Sequence, residues 1–174
     1  MKFNYMKKII PLLFLCLVSS IFAQNKLNQQ NDLITAKGWG KVQLGTKKKE
    51  VEKVLGKPEI LDPINDVIFA EYPSKGIDVS YLTKSKTVNA IFFYNNERFS
   101  SRKYAVFPNS KTDKGVDWNS TEEELIDLYG IPKEDYKGVD SGGTWRRIVY
   151  EGMDFRFESE RMVRIGIFIE TKEK

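Results

Sequence analysis

Two short stretches of the chain, 74 positions apart, carry the same amphipathic pattern and the same ending. In "LGTKKKEVEKVLGKP", Leu44 to Pro58, the residues Val51, Val54 and Leu55 recur at helical spacing. Thr46 stands where an N-cap is wanted, and Gly56 followed by Pro58 stops the helix. In "WNSTEEELIDLYGIP", Trp118 to Pro132, Ser120 takes the cap and Glu123 the capping-box position. Leu125, Leu128 and Tyr129 repeat the apolar face, and Gly130 with Pro132 closes the segment. Over 42–58 and 116–132 only a Val, a Glu, a Gly and a Pro are identical, yet nearly every apolar slot is matched by another apolar residue. Each stretch predicts one short helix, with Val54 and Leu128 at equivalent buried positions.

The apolar period then changes from helical to alternating. "GIDVSYL" sets Ile77, Val79 and Tyr81 against Asp78 and Ser80, and "GMDFRFE" sets Met153, Phe155 and Phe157 against Asp154 and Arg156. Both read as half-buried strands. Each is preceded by a β-rich run, "VIFAEY" from Val67 and "TWRRIVY" from Thr144, and followed by another, "TVNAIFFY" from Thr87 and "MVRIGIFI" from Met162. A helix of two turns does not persist alone and must lie on a sheet. The sheet in turn has an apolar face to cover. The expected fold class is therefore α+β: two helix-plus-three-strand pseudo-repeats with short helices packed on antiparallel sheet. The repeats fall at 37–96 and 112–174, joined by a connector, 97–111, with a β-like core at Tyr104 to Phe107. A Gln- and Asn-rich arm, 24–36, precedes them.

The first 23 residues read differently. Lys2, Lys7 and Lys8, an apolar run from Ile9 to Val18 and the small Ala23 predict a secretory signal peptide. The run is broken by Pro11 and is too short to span a bilayer. Cys16 is the only cysteine and follows Leu15, which disfavours a lipidation site. Cleavage after Ala23 leaves no cysteine, so disulfides are excluded and the domain is held by its core. Of 28 basic residues three leave with the leader, and 25 against 24 acids is a net charge of +1. A general nucleic-acid binder needs a clearer excess. The expectation is an exported protein, periplasmic or extracellular, with no transmembrane segment in the mature chain and no nucleic-acid partner.

Gly45, Thr46, Glu50, Val51, Leu55, Gly56 and Pro58, followed by an aromatic strand and a Gly-led strand, resemble the outer-membrane-assembly lipoproteins of the SmpA/OmlA family. Two such units in tandem resemble the wider group named for β-lactamase inhibitor protein. The second copy departs from the pattern with Asn119 for the glycine and Tyr129 for the leucine, and the lipobox cysteine of the lipoprotein members is absent. The resemblance implies a non-catalytic envelope protein that binds other proteins or ligands.

The chemistry agrees with that class. The chain has no histidine and, after processing, no thiol, which removes the commonest acid–base group, zinc ligands and the cysteine nucleophile. Carboxylate pairs remain, Glu158 with Glu160 or Asp154 with Glu158, and set up a hydrolase as one alternative. From Asp113 onward, Asp117, Asn119 and Glu124 take calcium-loop spacings, but Gly115 and Trp118 occupy positions that loop cannot spare, and a linker feeding a helix cap explains the acids equally. No metal, cofactor or catalytic residue is expected. Two clusters are binding candidates. Lys47, Lys48 and Lys49 oppose the positive end of the helix macrodipole, where the second copy places glutamates; the alternative is a solvated face. Trp145, Arg146, Arg147 and Tyr150 are interface-type residues on a strand, whose alternative role is core filling. The expected function is a secreted cell-envelope binding module whose partner is another envelope protein or an anionic envelope polymer. An inhibitor of a secreted enzyme is the other alternative.

Overall fold

The computed structural model describes residues 33–95, 103–108, 111–140 and 143–170. The signal peptide, Cys16, most of the arm and much of the connector lie outside the described residues. Three two-residue strands come first, β1 (Ile34–Thr35), β2 (Gly38–Trp39) and β3 (Val42–Gln43). Helix α1 (Lys48–Leu55) leads into β4 (Ile60–Ile64), β5 (Val67–Tyr72), β6 (Ile77–Leu82) and β7 (Val88–Tyr94). Helix α2 (Glu122–Tyr129) leads into β8 (Glu134–Asp140), β9 (Gly143–Tyr150), β10 (Met153–Glu158) and β11 (Arg161–Phe168).

These elements correct the expected class. The fold is mostly β: one eight-stranded sheet in the order β4-β5-β6-β7-β11-β10-β9-β8, antiparallel at every pairing, and one three-stranded sheet, β1-β2-β3. It is not an α+β arrangement of helix-plus-three-strand units. Each helix is followed by four strands, and β7 pairs with β11, so one continuous sheet replaces two. In the large sheet the strands missing from the sequence reading are the two edges, and the three-stranded sheet β1-β2-β3 is missing from it as a whole. In β4 almost every side chain is exposed and Pro63 interrupts the run; β8, "EDYKGVD", is exposed nearly throughout. An edge strand with little to bury has no apolar alternation to reveal it.

The helices stand where the pattern put them, shifted by one residue at their starts. In α2 the N-cap is Thr121, not Ser120, and Glu124, not Glu123, closes the capping box: the Thr121 amide donates to Glu124 Oε2 at 2.9 Å and the Glu124 amide to Thr121 Oγ1 at 3.1 Å. Ser120 Oγ is occupied one turn earlier, accepting from the Asp117 amide at 3.1 Å. In α1 the N-cap is Lys47, which makes no side-chain cap bond, while Thr46 Oγ1 accepts from the Gln43 amide at 3.2 Å. Both helices end on a glycine at positive φ, Gly56 and Gly130. In each half a tyrosine then fastens that end: Tyr72 Oη donates to the Gly56 carbonyl at 3.3 Å and Tyr150 Oη to the Gly130 carbonyl at 3.2 Å.

Val51, Leu55 and Leu125 are the buried helix residues, packed in one core with Ile91, Phe93, Phe155 and Ile165 of the sheet. Val54 and Leu128 are 42% and 47% exposed, which corrects the buried positions expected of them. The residues at i and i+4 make the stripe that meets the sheet, and the residue before each i+4 position turns about 100° away from it. The polar positions of the central strands need the opposite correction. Asp78, Ser80 and Asp154, read as the wet face of half-buried strands, are all buried.

The β10–β11 hairpin closes through Ser159 and Glu160, both at positive φ. A two-residue loop with two positive φ values suits glycine far better than glutamate. Glu160→Gly is expected to raise stability by about 1 kcal/mol, the cost of a left-handed non-glycine residue, read as an upward shift of the denaturation midpoint at unchanged slope. A lower midpoint would contradict the turn geometry.

Candidate functional site

The β6–β7 turn docks on the start of α1 and builds a concavity there. The Gly45 amide donates to the Val88 carbonyl at 2.8 Å, the Val88 amide to the Thr46 carbonyl at 2.9 Å, and the Lys48 amide to the Lys86 carbonyl at 2.9 Å. These bonds bring Lys86, itself at φ 53°, against the lysine turn. The resulting pocket, of about 530 Å3, is lined by Lys47, Lys48, Lys49, Glu50, Glu52 and Lys86. Both glutamates are already paired on the helix: Glu52 with Lys48 at 3.0 Å and Glu50 with Lys53 at 2.8 Å. Lys47 Nζ donates to the Ser85 carbonyl at 3.1 Å, a neutral partner that leaves its charge uncompensated. Lys47, Lys49 and Lys86 have no carboxylate partner among the described residues, so the rim is net positive. Sequence reasoning missed Lys86 because nothing local links it to Lys47; only the hairpin register does.

The second candidate cluster does not assemble into one site. Alternation on β9 sends Arg146 and Tyr150 to the helix-covered face and Trp145 and Arg147 to the other. Tyr150 is buried beside Tyr129, with ring centroids 5.1 Å apart, and fills core. Arg146 is a brace between strand, edge and helix: it holds Asp135 with Nε at 2.8 Å and Nη2 at 2.7 Å, and reaches Glu122 of α2 with Nη1 at 2.5 Å. The bonds from Arg146 hold the Asp135 carboxyl below the usual range. Trp145 lies over Gly138 of the edge strand, where a Cβ would stand 2.6 Å from its ring, and Arg156 sits 5.2 Å from the ring centre. Arg147 donates to Asp154 Oδ2 at 2.5 Å, and Arg164 reaches the same oxygen at 3.3 Å.

That open face holds the acids the sequence offered as catalytic pairs. Asp154 is buried between two arginines, Glu158 accepts from Arg156 Nε at 3.1 Å, and Glu160 lies in the exposed turn. Of the calcium-loop residues, Asp117 Oδ1 accepts from the Asn119 amide at 2.9 Å and Glu124 closes the helix cap, so both are engaged locally. A further group went unread: Glu71, Asp78, Tyr94 and Tyr104, drawn together from β5, β6, β7 and the connector. Tyr104 Oη stands 2.9 Å from Asp78 Oδ2 and 3.1 Å from Glu71 Oε2, and Tyr94 Oη 2.9 Å from Asp78 Oδ2. Glu71, the one charged residue of β5, is the available signal.

Comparison with protein-family models, characterised proteins and solved structures finds no match to this chain. Among the described residues no helix is long and apolar enough to cross a membrane.

Proposed function

We propose that the protein is an exported, cofactor-free binding module of the cell envelope, without catalytic activity, that takes an anionic partner at the lysine-lined pocket. The observation that carries this reading is the pocket itself: Lys86 adds to Lys47, Lys48 and Lys49 around one concavity whose only acids are already ion-paired. The contrast between the helices supports it. α2 neutralises its own N-terminus with Glu122, Glu123 and Glu124 and a full capping box, whereas α1 presents lysines and no side-chain cap. An anion in the pocket would do for α1 what those glutamates do for α2. The carboxylate-hydrolase alternative is disfavoured because Asp154 and Glu158, one in each candidate pair, are held by arginines, with Asp154 only 1% exposed, and Glu160 stands in an exposed turn.

The test is a double variant, Lys47→Glu with Lys49→Glu, which spares the Lys48–Glu52 pair. Binding to an anionic polymer such as polyglutamate, and to envelope extract, is compared with the parent at low and high salt. We expect about tenfold weaker binding at low salt and little difference at high salt, with a melting temperature equal to or slightly above the parent's. Unchanged binding at both ionic strengths would make these lysines an ordinary solvated face.

A further inference from the structure

Among the described residues the large sheet ends in two unpaired edges, β4 and β8, and they differ in what they offer a further strand. On β4, counted from Ile64↔Val67, the pair that closes its hairpin, the backbone groups of Leu61 and Pro63 turn outward. Pro63 has no N–H to give, so this edge is blunted. On β8, counted in the same way from Asp140↔Gly143, the outward residues are Asp135, Lys137 and Val139, and each has an amide to offer. β8 contains no proline and is exposed nearly throughout, Tyr136 at 47% and Val139 at 78%.

The charges of β8 select the strand that fits there. Its sequence, "EDYKGVD", complements itself when two copies run antiparallel about Tyr136. Asp135 then faces the partner's Lys137, Lys137 faces the partner's Asp135, and the two Tyr136 residues face each other. Outward residues meet outward residues, as the ladder requires. An axis at Glu134, Asp135 or Lys137 would set that residue against its own copy, and like charges directly opposite are destabilising. An axis at Gly138 puts Lys137 opposite Val139 and gains no ion pair. A lysine on a sheet edge ordinarily wards off a further strand. Opposite the partner's Asp135 it is matched. We propose that β8 is a self-association edge, at which two copies of this chain pair antiparallel about Tyr136 and join their eight-stranded sheets into one.

The local geometry leaves the paired groups available. Arg146 divides its single charge between Asp135 and Glu122, and Lys137 stands 4.0 Å from Asp135 of its own strand, so these four groups sum to zero. Asp135 stays ionised because Arg146 holds its carboxyl below the usual range. The Tyr136 residues fall at a non-hydrogen-bonded pair, where opposed side chains lie closest. One pair of seven-residue strands is a small interface of the transient class, so the dimer is weak and reversible. This surface is separate from the lysine-lined pocket, which α1 and the β6–β7 turn form.

Sedimentation velocity, from dilute solution to the solubility limit, is expected to show monomer at the lowest concentrations and dimer at the highest. Lys137→Glu sets a glutamate opposite each Asp135 and should leave monomer throughout, with the parent's melting temperature. Lys137→Pro removes an outward amide that the single chain does not use and should also abolish the dimer. Register is read by cross-linking in a Cys16→Ser background, which removes the chain's own thiol. Tyr136→Cys should give a disulfide-linked dimer on mild oxidation, because Cα atoms at such a pair, about 4.5 Å apart, lie within disulfide range. Val139→Cys should not, because the two copies of that position lie about 20 Å apart along the ladder. Monomer at every concentration would overturn the proposal and leave the edge to a strand of another protein. A dimer that persists in Lys137→Glu, or cross-linking at 139 as readily as at 136, would overturn it equally.

Discussion

Gly76→Ala is expected to destabilise the protein by about 3 kcal/mol, lowering its melting temperature by about 10 °C in a chain of this size. Two costs add. Gly76 has φ 68°, a left-handed conformation that costs an L side chain about 1 kcal/mol. A Cβ at this position would also overlap the Ala105 carbonyl oxygen and stand 2.7 Å from the Phe107 amide nitrogen, so the obstacle is backbone, with no side-chain end to swing away. Residues 104–107 would have to lift, taking Phe107 off Phe93 and Trp39. Gly45→Ala separates the two costs: φ is 83° there, but the added carbon meets nothing within 4 Å. That variant should lose only about 1 kcal/mol. Equal losses for the two, measured by denaturant melts, would show that this packing does not depend on close approach at Gly76.

Leu125→Ala is expected to cost about 3 kcal/mol, whereas Leu128→Ala, three residues on, should cost less than about 1 kcal/mol. Leu125 is fully buried and is the only buried residue of α2, so its truncation opens a cavity between helix and sheet. Leu128 is half exposed and leaves little void. The same contrast holds in α1 between Val51, fully buried, and Val54. If Leu128→Ala proved as damaging as Leu125→Ala, the helix would have to be rotated from the orientation described here.

Most of the elements can be read from the chain, because their signals are local. Gly56 and Gly130 with the prolines that follow end the helices, and the alternation in "GIDVSYL" and "GMDFRFE" marks β6 and β10. The α+β class fails for two reasons. β4 and β8 bury almost nothing, so their residues are under no constraint to alternate, and the β7–β11 pairing that joins both halves into one sheet links segments far apart in the chain, which no local pattern marks. The candidate sites follow the same division. Lys47, Lys48 and Lys49 attract notice as a run opposed to the helix dipole, but Trp145, Arg146, Arg147 and Tyr150, adjacent in sequence, are parted by the pleat onto opposite faces.

Local sequence settles the punctuation: where helices stop, which strands alternate, and that no histidine chemistry is open to the chain. Those properties rest on backbone preference and on side-chain type, which neighbouring residues settle among themselves. Which polar residues are buried and which distant ones meet follows from the closed fold. Asp78 reads as a solvent-facing strand residue until the connector lays Tyr104 over it, and Lys86 reads as a turn lysine until the β6–β7 hairpin docks on α1. Burial and long-range proximity belong to the closed chain, whose contacts span tens of residues, and no local pattern encodes them.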